Sequence, residues 1–193
     1  MIIRVPWAAN SIGARTTVKL ELVDLYRTLA GLAELPATSL QPSVQGTSLA
    51  SVFDAPTDLP PMLQQKAAYS QIGRCDCGTY NTRKGPTQEC AGNACCTVPT
   101  TGGNYTFMGY TMRTTQWRFT IWLPFDDTAA RVATPWPSLA AMHSQIELYD
   151  LRLDHGRDFD FDGYSYNVAG KPEHAATVEQ LWQQLKTTVP TWL

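Results

Sequence analysis

Five cysteines, Cys75, Cys77, Cys90, Cys95 and Cys96, crowd one Gly/Thr/Asn-rich stretch, and the rest of the chain has none. Thiols this dense either bind a metal or form disulfides. Structural zinc usually takes two Cys-x₂₋₄-Cys or His pairs. Here the spacing is C-x-C, a long gap, then C-x₄-C-C, with no histidine in the segment. A disulfide-stapled loop is therefore the better reading, with zinc as the alternative, and disulfides imply an oxidising compartment. The odd count leaves one thiol free or paired outside the loop, and the connectivity stays open. Beside the loop, Asn104-Tyr105-Thr106 is an N-glycosylation sequon.

Other candidates are weaker. Asp158, Asp160 and Asp162, followed by Gly163, resemble the opening of an EF-hand calcium loop. The twelfth position, however, is Ala169 where a bidentate Glu is needed, so an acidic solvated loop is the plainer reading. His143, His155 and His174 are scattered and no hydrolase nucleophile motif accompanies them. Six tryptophans invite a sugar-stacking platform, and a stand-alone secreted glycan-binding module is the alternative reading of the whole chain. Trp117 and Trp122 are an odd number of residues apart and so point to opposite faces of a strand. Trp182 sits on the apolar side of its helix.

The elements that must position these residues follow from patterning. Ile2–Val5 reads as a short strand, and Val18, Leu20 and Leu22 alternate with polar residues as an extended segment. Asp24 is placed to N-cap a helix carrying Leu25, Leu29, Leu32 and Ala33, ended by Leu35-Pro36. Pro56–Pro61 reads as a boundary, and 67–72 as a strand entering the cysteine loop. Met108, Tyr110 and Met112, then Trp117, Phe119 and Ile121, predict a hairpin turning near 114–116. Residues 126–144 read as loop and 147–151 as a strand. A last helix from 172 or 173 to 187 carries Val178, Leu181, Trp182 and Leu185 on one side. The expected fold is α/β (α+β). Residues 1–55 end an α/β domain, 56–66 form a linker, and 67–193 form a small antiparallel β-sheet with a covering C-terminal helix and the cysteine-rich loop 75–96. The net charge is −2 with no basic block, so nucleic acid and acidic membranes have no electrostatic footprint. No apolar run approaches the roughly 20 residues that span a bilayer.

Several of these segments, in order, resemble the C-terminal third of the sulfatases of the alkaline phosphatase superfamily. Ile3-Arg4-Val5-Pro6 resembles the end of the family's VPLIIRVPG strand, and Leu20–Pro36 its velvDlyPTLagLaGl segment. Gln45–Leu49 resembles its dGxSL turn, and Glu147–Leu151 its ELYDLxxDPxExxN strand, with Asp154 and Asn167 continuing it. Ala68–Gln71 and Met108–Trp122 are similar to segments of the iduronate-2-sulfatase branch. The resemblance runs from residue 2 to about 154, with gaps at 55–66, 75–105 and 126–144. The chain departs from it at Arg27, where the family has Pro, in its longer cysteine loop, and in the insertion-like stretch 157–166.

Membership would imply hydrolysis of sulfate esters, on a glycosaminoglycan-like or other sulfated polysaccharide, in a lysosome or outside the cell. Family members use a formylglycine made from the Cys of Cys-x-(Pro/Ala)-x-Arg, with calcium as Lewis acid. No cysteine here stands in that motif, and the family's metal ligands and sulfate-binding residues precede the strand at which this chain begins. The expectation is therefore a C-terminal portion, inactive alone, with no catalytic residue, cofactor or metal ligand of its own. Its partner would be the N-terminal sulfatase domain, with the signal peptide upstream and calcium held there. Arg113 and Arg118 are the hairpin residues expected to meet an anionic substrate.

Overall fold

A computed structural model describes residues 2–75, 105–126, 129, 131–132, 136–152 and 166–189. Two compact units divide the chain: Met1–Ala68 with Arg113–Thr115, and Tyr69–Met112 with Gln116–Leu193.

The first unit contains helix α1 (Asp24–Leu32), a short helix α2 (Pro61–Gln64) and several 3-10 turns. Its apolar centre is Leu49, Val52, Leu59 and Leu63, with Val18 and Leu20 packed against it. Leu59 and Leu63 bring the Pro-rich stretch into this core, and Pro61 opens α2 where its missing N–H costs nothing. The alternating Val18 and Leu20 thus point inward, yet neither 2–5 nor 18–22 is a strand. Period-2 patterning orients side chains, but a strand also needs a neighbour to take its N–H and C=O groups. None of the described residues of this unit provides one.

Asp24 is not the N-cap expected from its position. Val23 occupies the cap without a side-chain bond, and Asp24 is the first helical residue. Its carboxylate instead accepts the Glu21 N–H (2.9 Å) and the Thr47 N–H (2.7 Å) and pairs with the Lys66 ammonium at 3.0 Å. A second link lies one turn on. The Thr28 hydroxyl donates to the Asp24 carbonyl (2.7 Å) and accepts the Leu49 N–H (3.0 Å). Gly46 makes the approach possible: it holds φ +91°, and a Cβ there would overlap the Val23 carbonyl oxygen. Arg27 donates from Nε (3.2 Å) and Nη2 (2.6 Å) to the Val44 carbonyl. Polar groups therefore fasten α1 to the 44–49 turn.

The consequence is a helix turned against its own amphipathy. Asp24, Thr28 and Ala30 are buried, while Tyr26 and Leu29 are 55% and 57% exposed, next to exposed Leu22 and Val23. Just past the helix, Glu34 adopts φ +55°, a left-handed conformation that costs a non-glycine residue about 1 kcal/mol. Glu34→Gly is expected to raise stability by up to that amount, read as a small upward shift of the urea midpoint with an unchanged slope.

The second unit is an antiparallel sheet under a helix. Its strands are β1 (Ala68–Cys75), β2 (Tyr105–Arg113), β3 (Trp117–Asp126), β4 (Arg131–Val132) and β5 (Ile146–Asp150). They run in the order β1-β2-β3-β4, with β5 also pairing with β3. Both β4 and β5 are antiparallel to β3, β5 through Trp117↔Asp150 to Ile121↔Ile146. The β2–β3 turn falls at 114–116, as the pattern predicts. The expected loop 126–144 is different: β3 extends to Asp126, β4 pairs with its end, and Leu139–Gln145 forms a 3-10 helix. A two-residue pairing leaves no periodic signal to read.

Helix α3 (Ala175–Thr188), entered through a 3-10 turn at Pro172–His174, buries Val178, Leu181, Trp182 and Leu185. Tyr110, Met112, Phe119, Ile121, Leu123 and Leu148 are fully buried in the same unit. The Trp182 ring meets Trp136 edge-on at 5.5 Å, and Trp136 stacks on Tyr110 at 6.4 Å. Asn167 covers the outer edge of β5. Its Oδ1 accepts the Leu148 N–H (2.9 Å), its Nδ2 donates to the Ile146 carbonyl (2.9 Å), and the next N–H, from Val168, bonds Leu148 O (2.8 Å). The side-chain amide stands in for a peptide of a neighbouring strand.

Candidate functional site

Strand parity divides β3 into two faces. Phe119, Ile121 and Leu123 face the core, so Arg118, Thr120 and Trp122 share the other side. The register Arg118↔Tyr149 and Thr120↔Glu147 places Tyr149 and Glu147 of β5 on that same side. Four of these side chains, joined by Arg74 of β1, form a connected strip. Trp122 Nε1 donates to Glu147 Oε1 (2.9 Å), and the Tyr149 hydroxyl donates to Glu147 Oε2 (3.1 Å). One carboxylate thereby fixes two aromatic rings. The Arg118 guanidinium lies over the Tyr149 ring at 4.4 Å, and that of Arg74, from β1, over the Trp122 ring at 5.4 Å. The Thr111 and Thr120 hydroxyls, 2.9 Å apart, close the floor between β2 and β3.

Gly109 makes room for the indole. A Cβ there would stand 2.7 Å from Trp122 Cζ3 and 2.9 Å from Cε3 and Cη2. Burial, reinforced by the charge of Glu147 and opposed by Arg118, pushes the Tyr149 phenol above its ordinary range. It stays a neutral donor at physiological pH. Among the described residues neither Arg74 nor Arg118 has a carboxylate within salt-bridge distance, although both are exposed. The rings of the strip are covered by the two guanidinium groups and their donors are taken up by Glu147, so what it presents outward is two exposed cations.

The other sequence-derived candidates lie as follows. Arg113 ends β2, exposed, in the first unit with Lys19 and Thr115. Lys19 Nζ donates to Thr115 Oγ1 at 2.6 Å, and burial together with the Arg113 charge holds its ammonium below the usual lysine range. Trp117 and Trp122 do point to opposite faces: Trp117 meets the His174 ring edge-on at 5.3 Å. Cys75 ends β1, but its side chain lies outside the described residues, as do Cys77, Cys90, Cys95, Cys96, the sequon Asn104, and Asp158, Asp160 and Asp162. The His143 side chain and His155 also fall outside them. Among the described residues no group of three His, Cys, Asp or Glu side chains could hold a metal, and no helix is long and apolar enough to cross a membrane.

Arg74 and the Trp122–Glu147–Tyr149 link were missed by sequence reasoning. Spacing did hold a partial signal, since Arg118 and Trp122 are four apart on one strand and Glu147 and Tyr149 two apart on another. Only the β3–β5 register joins the two pairs.

No protein-family model matches the chain, and no curated protein matches it. Solved structures do. One is a presumed sulfatase from Bacteroides thetaiotaomicron, with 16% identity over 87% of this chain and a TM-score of 0.48. A second was solved in complex with its substrate D-glucosamine-2-N,6-O-disulfate, with 18% identity over 86% of this chain and a TM-score of 0.47. The chain spans about a quarter of their length, 24% and 23% respectively.

Proposed function

We propose that this chain is the C-terminal portion of a sulfatase-type hydrolase, most like iduronate-2-sulfatase in its sequence signatures, acting on sulfate esters of a glycosaminoglycan-like polysaccharide. The formylglycine and its calcium ligands belong to the rest of that protein. Among the described residues no group of His, Cys, Asp or Glu side chains fits a calcium site. The chain contributes the C-terminal sheet and, from residues 1–55, the last elements of the large α/β domain. A lysosomal or extracellular site of action goes with this reading.

The observation that carries the proposal is the orientation of α1. Leu22, Val23, Tyr26 and Leu29 face outward while an aspartate and a threonine face inward. A surface helix of a globular protein does the reverse. Large apolar side chains grouped at an exposed face mark a surface that packs on something. A further α/β layer is what the resemblance of Leu20–Pro36 supplies.

Sequencing the reading frame upstream of codon 1 tests it. An in-frame Cys-x-(Pro/Ala)-x-Arg is expected, and a stop codon directly before codon 1 overturns the proposal. Residues 1–193 alone are expected to release no sulfate from 4-nitrocatechol sulfate above the buffer rate. Turnover by this chain alone would overturn the assignment of the nucleophile to another segment.

A further inference from the structure

We infer that Lys19 is a site of covalent modification, at which its amine forms an imine with a small aldehyde whose phosphate or carboxylate group is bound by Arg113. The inference rests on side chains of the first unit alone and is independent of the sulfatase reading.

Three residues build the site. Val18 and Leu20 pack against the core of the unit, which anchors the backbone between them. The Lys19 side chain is half-buried, and its Nζ donates to the Thr115 hydroxyl at 2.6 Å. Arg113, two residues before Thr115, is exposed and near enough for its charge to act on Lys19. A hydroxyl orients an ammonium but brings no charge to balance it. Among the described residues neither Lys19 nor Arg113 has a carboxylate within salt-bridge distance.

Lys66 supplies the contrast within the same unit. It too is half-buried, yet Glu21 and Asp24 pair with it at 2.9 Å and 3.0 Å and raise its pKa above the usual lysine value. Lys19 has a guanidinium where Lys66 has carboxylates, so burial and the Arg113 charge both hold its pKa down. Partial desolvation and a neighbouring cation enlarge the neutral, nucleophilic fraction of a lysine, and imine formation is the characteristic reaction of such an amine. The nitrogen adds to the carbonyl carbon, and the carbinolamine then expels its oxygen as water. Both amine hydrogens leave in that water, so C=N replaces C=O with no oxidant or reductant consumed. Arg113 selects among aldehydes, because a planar guanidinium pairs with phosphate or carboxylate through parallel N–H donors.

The test is labelling of the full 193-residue chain with pyridoxal 5′-phosphate. Borohydride reduces each imine to a stable amine, and peptide mass spectrometry maps and counts the adducts over time. Lys171 and Lys186, exposed in the second unit, are internal references. Lys19 is expected to label at least about threefold faster than either, the share that one exposed charge contact supplies. Labelling no faster than the references overturns the proposal. Pyridoxal, which lacks the phosphate, should show a smaller preference for Lys19, and an equal preference would overturn the acidic assignment. Arg113→Gln should slow labelling of Lys19 by the phosphate ester about threefold and leave Lys171 and Lys186 unchanged. An unchanged rate at Lys19 in that variant overturns the role of Arg113. In urea the preference should vanish, since the burial and the Thr115 contact belong to the fold, and a preference that persists there overturns the site. Each of these results leaves the sulfatase reading untouched.

Discussion

Asp24→Ala is expected to destabilise the chain by about 3–5 kcal/mol, the usual cost of removing one partner from a buried ion pair. The carboxylate is 1% exposed and serves three donors at once: the Glu21 and Thr47 N–H groups and the Lys66 ammonium. Alanine would strand two backbone donors and leave Lys66, itself bonded to Glu21 at 2.9 Å, with half its counter-charge. The same geometry makes stability depend on pH. Burial raises the Asp24 pKa, but the Glu21 and Thr47 N–H groups and Lys66 outweigh it and hold the carboxyl below its ordinary 3.8. A depressed folded-state pKa gives stability that is fully present above the unfolded value, near 4, and lost as pH falls through the folded value. Lys66 mirrors this. Burial lowers its pKa, Glu21 and Asp24 raise it more, and the net shift is upward from 10.5. Its contribution is complete below about pH 10.5 and fades as pH rises through the folded value. Urea denaturation of wild type and Asp24→Ala from pH 2 to pH 7 reads the first effect. The two curves should converge as the pH falls below about 4, and a constant gap would contradict the assignment.

Trp182→Ala should cost a similar 3–5 kcal/mol, by a different route. This indole is 2% exposed, sits on α3 among Val178, Leu181 and Leu185, and meets Trp136 edge-on. Its removal loses the transfer energy of a large ring and opens a cavity bounded by sheet and helix, where close packing prevents full collapse. Trp136, which bridges Trp182 and Tyr110, would lose its edge contact. The expected readouts are a much lower urea midpoint and a diminished near-ultraviolet circular dichroism signal. Trp182→Phe should recover most of the loss. An alanine variant within about 0.5 kcal/mol of wild type would place Trp182 outside the core.

Both effects show how much of the fold was legible beforehand, and why it was the second unit more than the first. In α3 the buried residues are those that helical spacing selects, because one apolar stripe meets one apolar sheet face. The hairpin was legible for the same reason: Tyr110, Met112, Phe119 and Ile121 alternate and are buried together. In α1 the same rule selected Leu25, Leu29, Leu32 and Ala33; the structure leaves Leu25 and Leu32 half-buried and Leu29 and Ala33 exposed, and buries Asp24 and Thr28 instead. Their bonds run to Thr47 and Leu49, about twenty residues away, and local spacing carries no information about partners so distant. Asn167 is a related case. Its amide pairs with Ile146 and Leu148, again about twenty residues away, beyond the reach of local spacing.

The candidate site divides along the same line. Residue types and parity alone put Arg118 and Trp122 on one face of a strand and Trp117 on the other, because side-chain direction in a strand is a local property. That Trp122 and Tyr149 are tied through Glu147, that Gly109 lies beneath the indole, and that Arg74 reaches it from β1 was decided by tertiary structure. Register between strands distant in sequence arises from packing the core face of the sheet as a whole, and the opposite face inherits its neighbours from that choice.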